Sequence, residues 1–214
     1  MDTTRMRTWA EIDLTALEHN YRTLRAMLPR ECRFLGLCKA NAYGHGAAVI
    51  GHTLERLGAD MLAVACVSEA EELRQSGVKL PILCLGETPE ELIPLLLELD
   101  VTQMVEDLET GRRLSAAAQR AGRTLRVHVK LDTGMSRLGF LWEAGREEET
   151  ADEIARLCRL PGLEAEGLFD SQYKQPIPSN PERIAVITSA GGAALQDVIH
   201  VITRRCPSVE LTVF

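Results

Sequence analysis

The sequence predicts an α/β fold, a (β/α)8 (TIM)-like barrel. Short apolar runs alternate with segments of helical periodicity, each strand–helix unit taking roughly twenty to thirty residues, and this alternation marks βα units and a parallel sheet. The number of repeated units favours a closed barrel over an open, doubly wound sheet. No Gly-x-Gly-x-x-Gly follows the first buried strand, which disfavours a dinucleotide-binding sheet.

Trp9-Ala10-Glu11-Ile12-Asp13 alternates and reads as a short strand. Asp13 then starts a helix in which Leu14, Leu17, Tyr21, Leu24 and Leu28 recur at helical spacing, and Pro29 stops it. Residues 34–40 form the first buried strand, Ala47–Leu57 a helix closed by Gly58, and residues 61–66 the second strand. Ser68 is placed as the cap of the next helix, which runs to Gln75, with Glu71 at capping-box spacing and Glu69 and Glu72 also near its start. Residues 81–85 are the third strand. Thr88 then caps a helix over 89–97, with Pro89 at its first position. A fourth strand over Val101–Val105, a helix over 108–121, a fifth strand over 125–131, a helix over 142–157 and a sixth strand over 163–169 follow. Residues 170–181 are polar, carry Pro176, Pro178 and Pro181, and replace the helix expected after strand six. A seventh strand (183–188), a Ser189-Ala190-Gly191-Gly192 turn, a helix (193–205) and an eighth strand (209–214) end the chain, and a terminus inside an apolar strand is unusual for a complete protein.

Apolar residues make up 45% of the 214 and charged residues 26%, the mix of a globular protein with a real core. Net charge is −7, which argues against non-specific DNA binding, since phosphate contacts need clustered Lys and Arg. Residues 170–214 are neutral, balancing Lys174, Arg183, Arg204 and Arg205 against Asp170, Glu182, Asp197 and Glu210, so the whole negative charge lies before them. The six cysteines show no Cys-x-x-Cys pair and no zinc spacing, so no metal site is expected. Cys38, Cys66 and Cys84 lie inside apolar runs as small hydrophobes, and the cysteines read as free thiols in a reducing, cytoplasmic compartment. No signal peptide and no membrane-spanning run is seen.

Chemistry concentrates after the first buried strand, in Lys39-Ala40-Asn41-Ala42-Tyr43-Gly44-His45-Gly46. A lysine there leaves the apolar core just where the chain turns, a place where an amine can serve as a nucleophile toward a carbonyl or aldehyde. On residue types alone, a snorkelling strand-end lysine is the other reading. His45 and His128 read as hydrogen-bonded structural histidines.

The stretch from Lys39 to Gly46 resembles the cofactor-lysine motif of alanine racemases, the pyridoxal-phosphate enzymes that interconvert L- and D-alanine. Val127-His128-Val129-Lys130-Leu131-Asp132-Thr133-Gly134-Met135-Ser136-Arg137-Leu138-Gly139 resembles that family's fifth-strand motif, and Trp9 to Leu14 its N-terminal strand and helix start. The resemblance covers residues 1–169. It implies pyridoxal 5'-phosphate as cofactor, Lys39 as Schiff-base lysine and one of two bases, and Tyr43 as a hydrogen-bond donor to the phosphate. Arg137 would meet the substrate carboxylate and a cofactor oxygen, and Lys130 would be the lysine, carbamylated in many members, that supports Arg137.

Departures follow strand six. Ser171 stands where the family has a ring-stacking histidine, the arginine that faces the pyridine nitrogen has no match, and the C-terminal β-domain with the second base is not represented. Full racemisation is therefore expected to be lost or nearly so. Residues from about 166 to 214 instead resemble the start of the catalytic domain of the exodeoxyribonuclease VII large subunit, with Asp197 where that family keeps an acidic residue. The expected organisation is a racemase-like barrel part (1–169), a Pro-rich linker (170–181) and a nuclease-like strand–helix–strand fragment (182–214), joined as a chimera. The two tail strands would bring the strand count to eight, and Ser189 falls where the racemase family has a phosphate-binding turn, although any Ser-Gly turn before a helix has this look. The function expected is that of a truncated alanine-racemase-type protein acting on alanine. The alternatives are an exodeoxyribonuclease VII fragment acting on single-stranded DNA and an inactive folded chimera. Neither nucleic acid nor membrane is expected as a partner, and the oligomeric state stays open.

Overall fold

A computed structural model describes residues 10–143, 145–165, 183–186 and 210–213. Five strands follow one another in a parallel sheet: β1 (Leu35–Leu37), β2 (Met61–Val64), β3 (Ile82–Cys84), β4 (Val101–Val105) and β5 (Leu125–Val129). Two short strands, β6 (Leu131–Asp132) and β7 (Phe140–Leu141), pair with each other, and β8 (Leu163–Ala165) returns to the sheet beside β5. Further on, β9 (Arg183–Val186) and β10 (Glu210–Val213) form a parallel pair. Among the described residues no ladder joins that pair to β1 or β8, the two edges of the six-stranded sheet. Helices α1 (Leu14–Met27), α2 (Lys39–Tyr43), α3 (Ala47–Leu57), α4 (Val67–Gln75), α5 (Ile93–Glu98), α6 (Leu108–Arg120) and α7 (Glu147–Leu157) fall between the strands. The fold is α/β and TIM-barrel-like, as the alternation of elements predicts.

The central strands are legible because they are buried on both faces: every residue of β2, β3 and β4 is buried. Their alternating side chains feed two apolar layers. Leu62, Val64, Ile82, Val101 and Val105 face the helices, where Ile50, Leu54, Leu73, Leu96 and Leu114 meet them. Met61, Ala63, Leu83 and Met104 make a smaller cluster on the opposite, inner face. Leu35 and Leu37 share that inner face, since β1 pairs Leu35 with Met61 and Leu37 with Ala63, but they are exposed.

Several boundaries differ from expectation for identifiable reasons. Ala10–Asp13 makes no strand; Asp13 caps α1, accepting from the Thr15 and Ala16 N–H groups at 2.8 and 3.2 Å. β1 ends at Leu37, because the backbone turns left-handed just past Lys39. Ser68 does not cap α4: the helix already begins at the buried Val67, with Cys66 at its N-cap and no side-chain cap. Nor does Thr88 cap a helix. It is buried, its hydroxyl donates to Gln103 Oε1 at 2.6 Å, and the chain enters α5 through a 3-10 turn at Glu90–Leu92. The helix expected from Trp142 starts at Glu147, since the Trp142 N–H bonds the Asp132 carbonyl and extends the β6–β7 pairing. The replaced helix after strand six, the Pro-rich segment, Ser189 and Asp197 lie outside the described residues. No helix among the described residues is long and apolar enough to cross a membrane.

Candidate active site

The C-terminal ends of parallel strands are where α/β folds gather chemistry, and here they surround a cavity of about 420 Å³. Lys39 enters it after β1, Ala65 after β2, Leu85 and Gly86 after β3, Met104 from β4, Lys130 after β5, and Arg137 from the loop between β6 and β7. The volume falls in the range of about 300–1,000 Å³ typical of small-molecule sites. Its walls are aliphatic apart from three cations (Lys39, Lys130 and Arg137) and Asp132 and Thr133.

Lys39 opens a turn of unusual backbone. Ala40, Asn41, Ala42 and Tyr43 are all left-handed, with φ between 51° and 54°. For residues bearing a Cβ this costs about 1–2 kcal/mol each, so the turn holds only if its surroundings over-determine it. They do so at both ends. Before Lys39, the Cys38 N–H bonds the Ala63 carbonyl at 2.8 Å, continuing the β1–β2 ladder. After it, the Ala40 N–H donates to Glu69 Oε1 at 2.7 Å, while Glu69 Oε2 accepts from the Ala65 N–H at 2.7 Å. At the far end Asn41 Oδ1 accepts from the Ala47 N–H at 2.7 Å, satisfying the start of α3, where Gly46 offers no side chain. The His45 Nδ1 lies 2.8 Å from the Ala42 carbonyl, in keeping with a structural role for that histidine.

Tyr43 is not brought into the cavity lining. It is exposed, and its ring centroid lies 5.9 Å from Lys39 Nζ, at cation–π range. Cys38, next to Lys39, is fully buried. Burial first, and then the Glu69 charge, push its thiol up to about 11, so it stays protonated at neutral pH.

Arg137 is set by Asp132. This carboxylate is 6% exposed; its Oδ1 accepts from the Gly134 and Ser136 N–H groups at 2.9 and 3.0 Å, and its Oδ2 from the Arg137 N–H at 2.9 Å. Burial works against ionisation, but the backbone N–H groups of Ser136, Gly134, Arg137 and Met135 outweigh it and hold the carboxyl below its usual range. Gly139 closes the loop at φ +119°, where a Cβ would meet the Lys130 carbonyl oxygen at 2.8 Å. Phe140 donates its N–H to that same oxygen at 2.8 Å. Lys130 and Arg137 are thus fixed by one compact loop.

The loop carrying Leu85 and Gly86 has its own support. Gln103 is fully buried in β4, and its Nε2 donates to the Gly86 carbonyl at 2.8 Å and the Met104 carbonyl at 2.7 Å. A Cβ on Gly86 would stand 2.4 Å from the Ala65 carbonyl oxygen, so only glycine lets the ends of β2 and β3 approach this closely. Glu69, Asp132 and Gln103 escaped the sequence reading as site residues. A glutamine in the middle of an apolar strand was the visible sign for Gln103, while Glu69 looked like any acid in a first helical turn.

Comparison with known proteins agrees with this geometry. The family model "Alanine racemase, N-terminal domain" matches residues 12–174, and "Exonuclease VII, large subunit" matches residues 168–214. The alanine racemase of Clostridium perfringens (strain SM101 / Type A) is 42% identical over 161 residues, covering 75% of this chain and 40% of that protein. The chain therefore spans about two fifths of the length of that curated relative. Among solved structures, alanine racemase of Clostridium difficile 630 superposes with a TM-score of 0.71 at 40% identity, over 77% of this chain and 42% of that one. A structure of the same organism's enzyme in complex with cycloserine matches over 98% of this chain and 55% of that one, with a TM-score of 0.72 and 30% identity. With Lys39, Lys130 and Arg137 around one cavity at the strand ends of such a barrel, this chain belongs to the alanine racemase N-terminal domain family.

Proposed function

We propose that this chain is an alanine-racemase-type protein that binds pyridoxal 5'-phosphate through Lys39, with alanine as its substrate and with racemisation weak or lost. The observation that carries the reading is the convergence of Lys39, Lys130 and Arg137 on one aliphatic cavity of small-molecule size. The donor set suits a phosphorylated aromatic aldehyde: one amine to take the aldehyde carbon, further cations for anionic oxygens, and apolar walls for a ring. When bound, that cofactor supplies the ring that takes up negative charge as an α-proton leaves the substrate.

The roles of the chain's own residues follow. Lys39 would hold the cofactor's aldehyde carbon through Nζ, the aldehyde oxygen leaving as water, and would move a proton on its face of the cavity. Arg137 receives the substrate carboxylate, and Lys130, also in the lining, supports Arg137 when carbamylated, since a carbamate is anionic and pairs with the guanidinium where an ammonium would repel it. Tyr43, which is exposed, and Ser189 are proposed as further contacts to the cofactor's phosphate. Racemisation needs one acid–base group on each of two opposite faces, one to take the α-proton and the other, in its protonated form, to return a proton. Asp132 is a poor second base, because the backbone N–H groups that bond its oxygens hold its carboxyl below the usual range. We further propose that the family match over 168–214 reflects a junction of two sequence fragments, and that the chain works in the cytoplasm.

The test is spectroscopic. Adding pyridoxal phosphate to the full chain should produce an imine absorbance band that Lys39→Ala removes, while L-to-D-alanine conversion stays slow. A band that is absent, or that persists in Lys39→Ala, overturns the cofactor reading.

A further inference from the structure

Glu69 is a charged side chain, bonded to the cavity-lining Ala65, to which the proposed chemistry gives no task. It sits in the first turn of α4, yet its carboxylate does not serve that helix. Oε1 reaches across to the Ala40 N–H and Oε2 to the Ala65 N–H, each at 2.7 Å. Ala40 follows Lys39 directly and is the first residue of the left-handed turn, and Ala65 closes β2 and lines the cavity. On the other side of Lys39, Cys38 is held by the strand ladder through Ala63. The peptides flanking Lys39 are therefore pinned separately, one by the sheet and one by Glu69.

We infer that Glu69 is the positioning residue for Lys39: its carboxylate clamps Ala40 to Ala65, so that the strained turn starts at one place and the Lys39 amine enters the cavity in one direction. A carboxylate suits the task, since it only accepts and has two oxygens for two N–H donors. Glutamine keeps a single acceptor oxygen and alanine none. A residue that merely favoured the helix N-terminus would act on α4 and leave Lys39 unmoved. The cofactor arm of the test rests on the proposed attachment at Lys39. The backbone arm does not.

The experiment uses the full chain as wild type, Glu69→Gln and Glu69→Ala. Amide hydrogen exchange is followed at Ala40 and Ala65, with Leu62 and Val64 of β2 as internal references. In parallel, each protein is mixed with pyridoxal phosphate, reduced with borohydride and peptide-mapped, with label at Lys39 divided by label at the exposed Lys79. In Glu69→Ala, exchange at Ala40 and Ala65 should rise about tenfold or more, the scale of a lost hydrogen bond to a charged group, while the β2 references stay within about twofold. The Lys39/Lys79 ratio should fall about tenfold, and Glu69→Gln should lie between, losing protection at one of the two amides. Wild-type exchange and labelling in Glu69→Ala, or faster exchange confined to α4, overturns the inference. Should Glu69→Ala not fold, Glu69→Gln decides by the same two readings. If wild type itself takes no label at Lys39, the cofactor reading fails and the exchange at Ala40 and Ala65 alone decides the clamp.

Discussion

Asp132 shapes the cavity through the backbone of the loop that carries Arg137. Three backbone N–H groups converge on its two oxygens, and the arginine expected to meet a carboxylate is carried by the last of them. Because these bonds need an ionised acceptor, the loop's stability is tied to pH. The folded carboxyl lies below the ordinary aspartate value, so its contribution is fully present above the unfolded value of about 4 and is lost as pH falls through the lower, folded one. Asp132→Asn, with one acceptor oxygen, should be less stable than wild type in urea unfolding at pH 7. The gap should narrow as the pH is taken below about 4. A gap that stays constant with pH would mean that the loop is not held by charge. The residue was legible only as part of a motif. Its work depends on the loop curling back so that N–H groups up to five residues later reach it, which residue type alone does not state.

At the scale of elements, what could be read in advance was set by burial on both faces. β2 and β3 appear as unbroken apolar runs, β4 as an apolar run interrupted by Thr102 and Gln103, and α3 runs between limits that its apolar stripe and Gly58 mark in the sequence. The errors fall where backbone geometry, not hydrophobic period, decides: the left-handed turn that cuts β1 short, and the β6–β7 pair that delays α7. Gln103 shows how an element and a loop are coupled. It is the polar residue at the centre of β4, and through Thr88 and the Gly86 carbonyl it ties the β3 exit loop to the sheet. Replacing it with leucine keeps the strand apolar but leaves the Gly86 and Met104 carbonyls and the Thr88 hydroxyl without this partner. Gln103→Leu should therefore lose about 1–3 kcal/mol in denaturant unfolding, the cost of leaving buried polar groups unsatisfied. It should also weaken pyridoxal phosphate binding, because Leu85 and Gly86 line the cavity. Unchanged stability would show that the loop holds itself.

At the scale of the whole molecule, two family matches share one chain and meet at residues 168–174. The racemase family was readable because its motifs preserve both residue type and spacing around Lys39 and Arg137. The support from Glu69 was not, because it joins positions 29 residues apart through backbone N–H groups that any sequence possesses. The nuclease match makes a separate demand on the molecule, since degradation of single-stranded DNA requires cations that neutralise phosphates. The chain carries a net charge of −7, and residues 170–214 balance four basic against four acidic side chains. The described cavity does collect three cations, but its aliphatic walls offer no aromatic platform for stacked bases. Labelled single-stranded DNA incubated with the full chain should therefore remain intact, and fluorescence anisotropy at physiological salt should show no binding. Degradation, or binding that weakens steeply as salt is raised, would show that the tail contributes a nucleic-acid activity. Loss of that activity in Asp197→Asn but not in Lys39→Ala would assign it to the nuclease-like fragment and leave the racemase-type cavity as an independent function of the same chain.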